Sequence, residues 1–425
     1  MAASAQWSQS PAPPPDVRAM TYDEDRGRLV AVALHPTPGL LRTWEFDGSS
    51  WLQVSATTPQ AYSSSPEYYS LVYDTLRRRV LLVLAADYSG GAVAVRSYDG
   101  SAWTAHSSPG VPRGRSECTA AFDEARGRLI VYNDDGLFEW DGAVWYRPQP
   151  IVSPPLRYGA AIAYDKLRRV TVVDGGFIAR FTYDPFAWEW DGVQWRSAGT
   201  GIQRHQHRMA YDHARQSVVA FGGLWISSDG NLLLQKAHPV EWRGAAWQAL
   251  VGGPSHTPFP VMAHDLGRAR LIVAAPFAGS AFELGLPNAA TYAPLGSGCA
   301  GPAALVLSGG QLAWVGRSFD QALLSAPASA ASAVLLVGGS RTQWGALPLP
   351  LDLTSLGMTG CRLRTSVDMV LPFALAGGRG IVSIPIPSSP WLVGARMYDQ
   401  CSVPDSAANP LGVVLSNARE WVIGG

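Results

Sequence analysis

Lysine is almost absent from this sequence. Lys166 and Lys236 are the two lysines among 425 residues, and every other basic side chain is arginine, a bias we read as coding preference rather than as a site. Charge is scarce altogether: Asp, Glu, Lys and Arg make up 16% of the chain, against about 25% in ordinary soluble domains. The 33 basic residues balance 33 acidic ones. A chain with no net charge lacks the broad basic field that nucleic acid or an anionic membrane surface selects, which excludes nucleic acid as an expected partner. No apolar run reaches the ~18 residues of a membrane helix, so no membrane span is expected. No window keeps helical apolar periodicity over three turns. The opening MAASAQWSQSPAPPP has neither a charged leader nor an apolar core, so no signal peptide is visible.

Turn-formers and aromatics are plentiful instead: 44 Gly, 32 Pro and 16 Trp, with 47% hydrophobic residues to fill a core. This composition suits short strands joined by many turns. The length predicts two domains, or a repeat array with an added module.

The repeat is explicit. An aromatic residue (once a histidine) followed by Asp, with Arg three residues later, occurs six times. The pairs are Asp23/Arg26, Asp74/Arg77, Asp123/Arg126, Asp165/Arg168, Asp212/Arg215 and Asp265/Arg268, at intervals of 51, 49, 42, 47 and 53 residues. Apolar runs follow each pair, at 29–34, 80–84, 129–132, 170–173, 218–221 and 271–274. The pattern reads as strand, tight turn, strand, with Asp accepting turn amides and Arg pairing with that Asp to close the hairpin. Six equivalent pairs suit a structural role, since a ring of repeats has one central site. A second motif follows in five repeats: aromatic-Asp-Gly, two residues, Trp. It occurs at Asp47-Gly48 with Trp51, Asp99-Gly100 with Trp103, Asp141-Gly142 with Trp145 and Asp191-Gly192 with Trp195. The fifth copy has Arg243-Gly244 with Trp247. Asp-Gly predicts a type I′ hairpin turn, and the tryptophans are expected to pack between repeats.

Each repeat therefore gives four strands, a to d, and four-stranded sheets at this period point to a propeller. At these residues the chain resembles the kelch family over roughly residues 1–290. Gly-Gly at the end of strand b survives at Gly175-Gly176 and Gly222-Gly223, whereas Ala85-Ala86, Asn133-Asp134 and Ala274-Ala275 replace it elsewhere. The sixth repeat lacks Asp-Gly and its Trp. A strand around Trp7, residues 7–9, is expected to complete that blade and cover its edge.

The a–b and c–d turns share one uniform face. The b–c and d–a loops share the other, which varies in length and content and is the candidate binding face. Loop 175–188 carries Arg180, Tyr183, Asp184 and Phe186; loop 222–240 carries Trp225, Asp229, Lys236 and His238; a shorter loop carries Asp87 and Tyr88. The ligand candidates are Trp225, Asp229, Tyr183, Asp184, Phe186 and Tyr88, because aromatics beside carboxylates can stack on and hydrogen-bond a sugar. They can equally cap the propeller itself. His205 and His207 share a strand face and are weak metal candidates; no cofactor is expected. Kelch-fold copper-radical oxidases such as galactose oxidase need a Tyr cross-linked to Cys, and Cys118, just before a predicted innermost strand, reads as a buried thiol. The Asp-Gly motif is not the sialidase box, and no nucleophile elbow, phosphate loop or Cys-x-x-Cys is present.

After about residue 286 both motifs stop. Apolar runs at 303–307, 333–337, 367–371, 380–386 and 413–415, separated by Pro-rich turns, predict an antiparallel β-sandwich over 296–425. Cys299, Cys361 and Cys401 fall here. A Cys299–Cys361 bridge would add roughly 4 kcal/mol in the chain-entropy model and place the protein outside the cytosol; the alternative is three reduced thiols. Gly296-Ser297-Gly298-Cys299, the run 348–353, Gly360-Cys361 and Asn409-Pro410-Leu411-Gly412 resemble a C-terminal module of exported planctomycete and myxobacterial proteins. That resemblance implies export.

The expectation is an all-β protein, a six-bladed kelch-like β-propeller followed by a small antiparallel β-sandwich. It is expected to be a monomeric, non-catalytic protein of the cell surface or exterior that binds a glycan or protein. A carbohydrate-active or oxidative enzyme using the same face is the alternative.

Overall fold

The computed structural model describes residues 6–59, 68–85, 92–113, 117–227, 238–250, 252–254, 259–275, 279–286, 289–299, 305–309 and 312–425. These residues form an all-β protein of antiparallel sheets, and no α-helix is found among them. Two compact units result: Met1–Asp23, Arg28–Asp265 and Arg270–Pro287 in one, Glu24–Gly27, Leu266–Ala269 and Asn288–Gly425 in the other.

The first unit holds six antiparallel sheets, each read a to d. Sheet one is Val17–Asp23, Arg28–Leu34, Leu40–Phe46 and Trp51–Pro59; sheet two is Tyr69–Asp74, Arg79–Leu84, Ala94–Tyr98 and Trp103–His106. Sheet three is Thr119–Asp123, Arg128–Asn133, Gly136–Trp140 and Trp145–Tyr146. Sheet four is Tyr158–Asp165, Val170–Ala179, Phe186–Trp190 and Trp195–Thr200, with Thr182–Tyr183 added beside its strand b. Sheet five is Arg208–Asp212, Ser217–Phe221, Val240–Trp242 and Trp247–Ala249. Sheet six takes Val261–Asp265, Arg270–Ala275 and Ser280–Gly285 from one end of the chain and Gln6–Ser10 from the other. Trp7 pairs with Leu284 in that last ladder, and its ring lies 6.4 Å from Phe221 of sheet five. Strand a of each sheet packs against strand a of the next, and that of sheet six against that of sheet one. Strands a and b are almost wholly buried, while strand d alternates outward, as in Trp51–Pro59.

Both sequence motifs act in building this unit. In the Asp-x-x-Arg turn the Asp carboxylate accepts the Arg backbone amide at 2.9–3.1 Å in sheets two to five. The six Arg side chains, read from sequence as equivalent hairpin closures, are not equivalent. Arg215 comes nearest to that reading, its guanidinium almost buried against Asp212 Oδ2 at 2.6 Å. Arg77 bonds Asp74 Oδ2 at 2.9 Å but also leaves its own sheet, donating to the Asp141 carbonyl of sheet three. Arg126 bonds Asp123 Oδ2 at 2.7 Å and forks onto both oxygens of Glu139, on strand c, at 2.8 Å. Arg26 and Arg268 correct the reading most: their turns, Glu24–Gly27 and Leu266–Ala269, group with the second compact unit, whereas the Asp23 and Asp265 that precede them are buried in the first. The physical reason is reach. A guanidinium has five donors and one Asp cannot use them all, so each Arg takes the further acceptors its neighbours present.

The carboxylates reached in this way gather donors from two sheets. From the neighbouring sheet, Trp190 Nε1 donates to the same Glu139 at 2.7 Å. Trp242 Nε1 does so to Glu189 at 3.0 Å, and the Tyr98 hydroxyl to Glu45 at 3.0 Å. A buried carboxylate is tolerable only when paired and hydrogen-bonded, and here the partners come from two sheets at once.

The Asp-Gly turn departs from the two-residue type I′ turn. Register pairs Phe46 with Trp51, Tyr98 with Trp103 and Trp190 with Trp195, so four residues form the loop. The Gly is left-handed, but the Asp is not. The Asp carboxylate accepts the amides two and three residues on, as Asp191 does from Val193 and Gln194 at 2.8 Å. A side-chain acceptor closes the longer loop, so positive φ at Asp is unnecessary. These bonds hold the Asp47 carboxyl down at about 2. Gly192 meets a second requirement: a Cβ there would lie 2.5 Å from Arg126 Nε.

The second unit has a five-stranded sheet in the order Thr291–Gly296, Val413–Val422, Arg396–Pro404, Ser332–Gly338 and Met369–Ala374. A three-stranded sheet comprises Leu307–Gly309, Ser318–Leu323 and Gly380–Pro385. Phe319, Leu335, Val337, Cys401, Val403 and Trp421 belong to its core, and a Cys299–Cys361 disulfide crosses it. Within that core Arg419 is fully buried, bonded to Asp399 Oδ1 at 3.0 Å and to the Tyr292 hydroxyl at 3.0 Å.

Arg126→Ala should destabilise the first unit by about 3–5 kcal/mol, because it strands two buried carboxylates. Arg147→Ala, which breaks a half-exposed pair with Asp135, should cost less than about 1 kcal/mol. Urea unfolding of both variants checks this; equal losses would contradict it.

Candidate functional site

Strand a begins, and strand b ends, at the face that carries the variable loops. On that face, sheets three, four and five converge on a cleft of about 280 Å³ lined by Glu117, Tyr132, Asn133, Arg157, Gln206 and Arg208, among others. Gln206 sits in the left-handed region (φ 58°), where its amide bonds Gly159 O at 2.8 Å. That conformation turns its side chain onto Glu117 Oε1 at 2.8 Å. Asn133 accepts the Asp135 amide at 2.9 Å. Arg157 is almost completely buried, its guanidinium bonded to Pro155 O at 3.1 Å, Gly175 O at 3.3 Å and the Asp184 carboxylate. Cys118 is in the wall, and burial pushes its thiol up to about 12, so it is not a nucleophile.

Beside the cleft lies an aromatic cluster. Phe177 packs against Tyr183 (4.5 Å), His205 (4.4 Å), Tyr158 (5.5 Å) and Phe181 (6.3 Å). Behind it, Gly175 and Gly223 let the chain pass His205 and His207: a Cβ on Gly175 would stand 2.6 Å from His207 Cε1, and one on Gly223 would stand 2.7 Å from His207 Cβ. This close approach explains why Gly-Gly persists at these two strand ends.

The sequence candidates divide. Phe186 is 47% exposed and Trp225 is half-buried. Tyr183 is half-buried and bridges two loops, its hydroxyl accepting the Ile226 amide at 2.9 Å. Asp184 is turned inward: besides Arg157 it binds Trp188 Nε1 at 2.8 Å and the Phe186 amide at 3.0 Å, so its carboxylate serves the loop, not an external ligand. Arg180 covers the Phe181 ring at 5.1 Å, and the His238 carbonyl accepts from Arg204 at 2.9 Å. Asp229, Tyr88, Asp87 and Lys236 lie outside the described residues. His205 is driven down to about 4 by burial, and the fully buried His207 falls well below its ordinary value through burial and the nearby Arg204 and Arg208. Among the described residues no group of three His, Cys, Asp or Glu is placed to hold a metal ion. Glu117, Asn133, Arg157, Gln206 and Arg208 were not singled out from sequence. The signal that finds them is position, each falling within two residues of a strand-a start or a strand-b end on this face.

No family model matches the chain, and no curated protein matches it. Among solved structures it is similar to the SapL1 lectin in complex with alpha methyl fucoside, at 15% identity and a TM-score of 0.40, over 62% of this chain and 90% of that one. It is also similar to the uncharacterized protein lmo1340 from Listeria monocytogenes EGD-e, at 10% identity and a TM-score of 0.31, over 63% and 94%.

Behind the cleft, Asp174 is fully buried, accepting the Ile202 amide at 3.0 Å and the Trp247 indole, and burial raises it to about 7. Its folded value exceeds the unfolded one, so it favours the fold below 3.8 and loses that contribution as pH rises through 7. His207 has the opposite sign: its contribution is present above 6.5 and lost as pH falls. Between pH 6.5 and 4.5, His207→Leu should flatten the decline of stability with falling pH, and Asp174→Asn should steepen it, each by up to about 1.4 kcal/mol per pH unit. Urea unfolding across that range checks this; curves parallel to the parent's would contradict it.

Proposed function

We propose that the chain is a non-catalytic glycan-binding protein whose first unit is a six-bladed, kelch-like propeller and whose second is a small β-sandwich used for adhesion or anchoring. Residues 1–290 would form the propeller and 296–425 the sandwich. The cyclic succession of strands a, and the Gln6–Ser10 strand completing sheet six, support the propeller reading. The Cys299–Cys361 disulfide supports a place outside the cytosol.

The observation that carries the ligand class is the lining of the cleft. Glu117, Asn133 and Gln206 offer amide donors and carboxylate and carbonyl acceptors, held in place by bonds at 2.8–2.9 Å. Tyr158, 42% exposed, adds an aromatic face at the rim. Donors and acceptors together, beside an aromatic, suit a hydroxyl-rich ligand. Glu117 is the carboxylate among the described lining residues, whereas glycoside hydrolysis uses two.

A protein partner is the second reading. Ile151 is 90% exposed, with Val152, Leu156 and Phe186 also exposed on loops of this face, and exposed apolar patches mark protein contacts.

A glycan array with the purified chain separates the two. Gln206→Asn keeps the left-handed backbone but falls short of Glu117, and Tyr158→Ala removes the ring. Each should weaken binding by about tenfold without lowering the melting temperature. A blank array with the parent overturns the glycan reading and favours the protein one.

A further inference from the structure

We infer that the ligand is a linear oligosaccharide lying across two adjoining subsites, rather than a single sugar; this rests on the glycan reading above. A second cleft, of about 450 Å³, opens beside the first between sheets three and four, and Tyr132 lines both. Tyr132 is 2% exposed, and its hydroxyl meets no partner within hydrogen-bonding geometry, with the Arg157 guanidinium beside it. A buried hydroxyl at the junction of two clefts is placed for a ligand that passes from one to the other.

The linings differ, and the difference fits successive units of one chain. The first cleft is walled by charged and amide side chains. The second has an apolar wall of Trp195, Leu137 and Leu156. Trp195 is fixed there: it pairs across the strands with Trp190 at 5.3 Å and meets Tyr132 nearly edge-on at 6.3 Å. Opposite this wall, Arg147 donates to Asp135 Oδ1 at 3.0 Å and to its carbonyl at 2.7 Å, with the guanidinium 5.2 Å above the Phe138 ring. An apolar wall facing a fixed polar pair complements a sugar ring, which has an apolar face and a hydroxyl edge. The lining carries one Arg and one Asp, paired with each other, so no charged substituent is demanded of this unit.

The test is calorimetric titration of the full chain with cello-, xylo- and manno-oligosaccharides of one to five units. In at least one series, affinity should rise about tenfold or more between one and three units. Arg147→Ala should abolish most of that rise while leaving the affinity for the single sugar within threefold. Gln206→Asn should weaken short and long members alike. A bound series with no length dependence, or a rise untouched by Arg147→Ala, overturns the two-subsite inference alone. No binding by any series overturns the glycan reading and this inference with it.

Discussion

The first unit depends on carboxylates that no single sheet can satisfy. Glu139 belongs to sheet three and is buried, with its charge balanced by Arg126 of its own turn and its remaining oxygen capacity filled by Trp190 of sheet four. Glu189 repeats the arrangement one sheet on, with Arg168 and Trp242. An isolated sheet would leave such a group short of partners in a low-dielectric interior, where an unpaired charge is least tolerable. Neighbouring sheets are therefore needed for each one's electrostatics as well as for its apolar packing. The two recurrent motifs are halves of this single device: the Arg comes from one turn, the aromatic donor and the Gly that makes room for the Arg from the next.

This explains which parts of the structure could be read from sequence. A device repeated six times leaves six spaced signatures, so the strand pairs around each Asp-x-x-Arg turn were legible. What each Arg does beyond its turn was not, because Arg77 and Arg126 find their further acceptors on residues far away in the chain. The Asp-Gly turn type was hidden too. The dipeptide favours positive φ at both residues, but whether the Asp side chain instead accepts amides further along is decided by the loop length that the facing aromatics impose. In the second unit, strands marked by apolar runs were legible, such as Ser332–Gly338 and Gly380–Pro385. Arg396–Pro404 escaped notice because its buried positions include Asp399 and Gln400, which hydropathy reads as surface. Their burial is possible only through Arg419 and its partners on other strands.

The candidate site was less legible for a related reason. Loop 175–188 is rich in aromatics and carboxylate, yet its Asp184 and Tyr183 are used to hold loops together. The side chains that line the cleft are solitary residues at strand ends, brought together by three consecutive sheets, and no local pattern announces them. Behind them stands a rigid layer of Arg157, Asp184, Asp174 and His207, which fixes the positions of groups that would otherwise need ordering on binding.

The most direct test of this dependence between sheets is a double-mutant cycle joining Glu139→Gln and Trp190→Phe, read by equilibrium urea unfolding. A coupling of about 1 kcal/mol or more is predicted, because each change removes the partner of the other across the sheet boundary. Effects that add within about 0.3 kcal/mol would show that the two sheets do not share this carboxylate and would contradict the account.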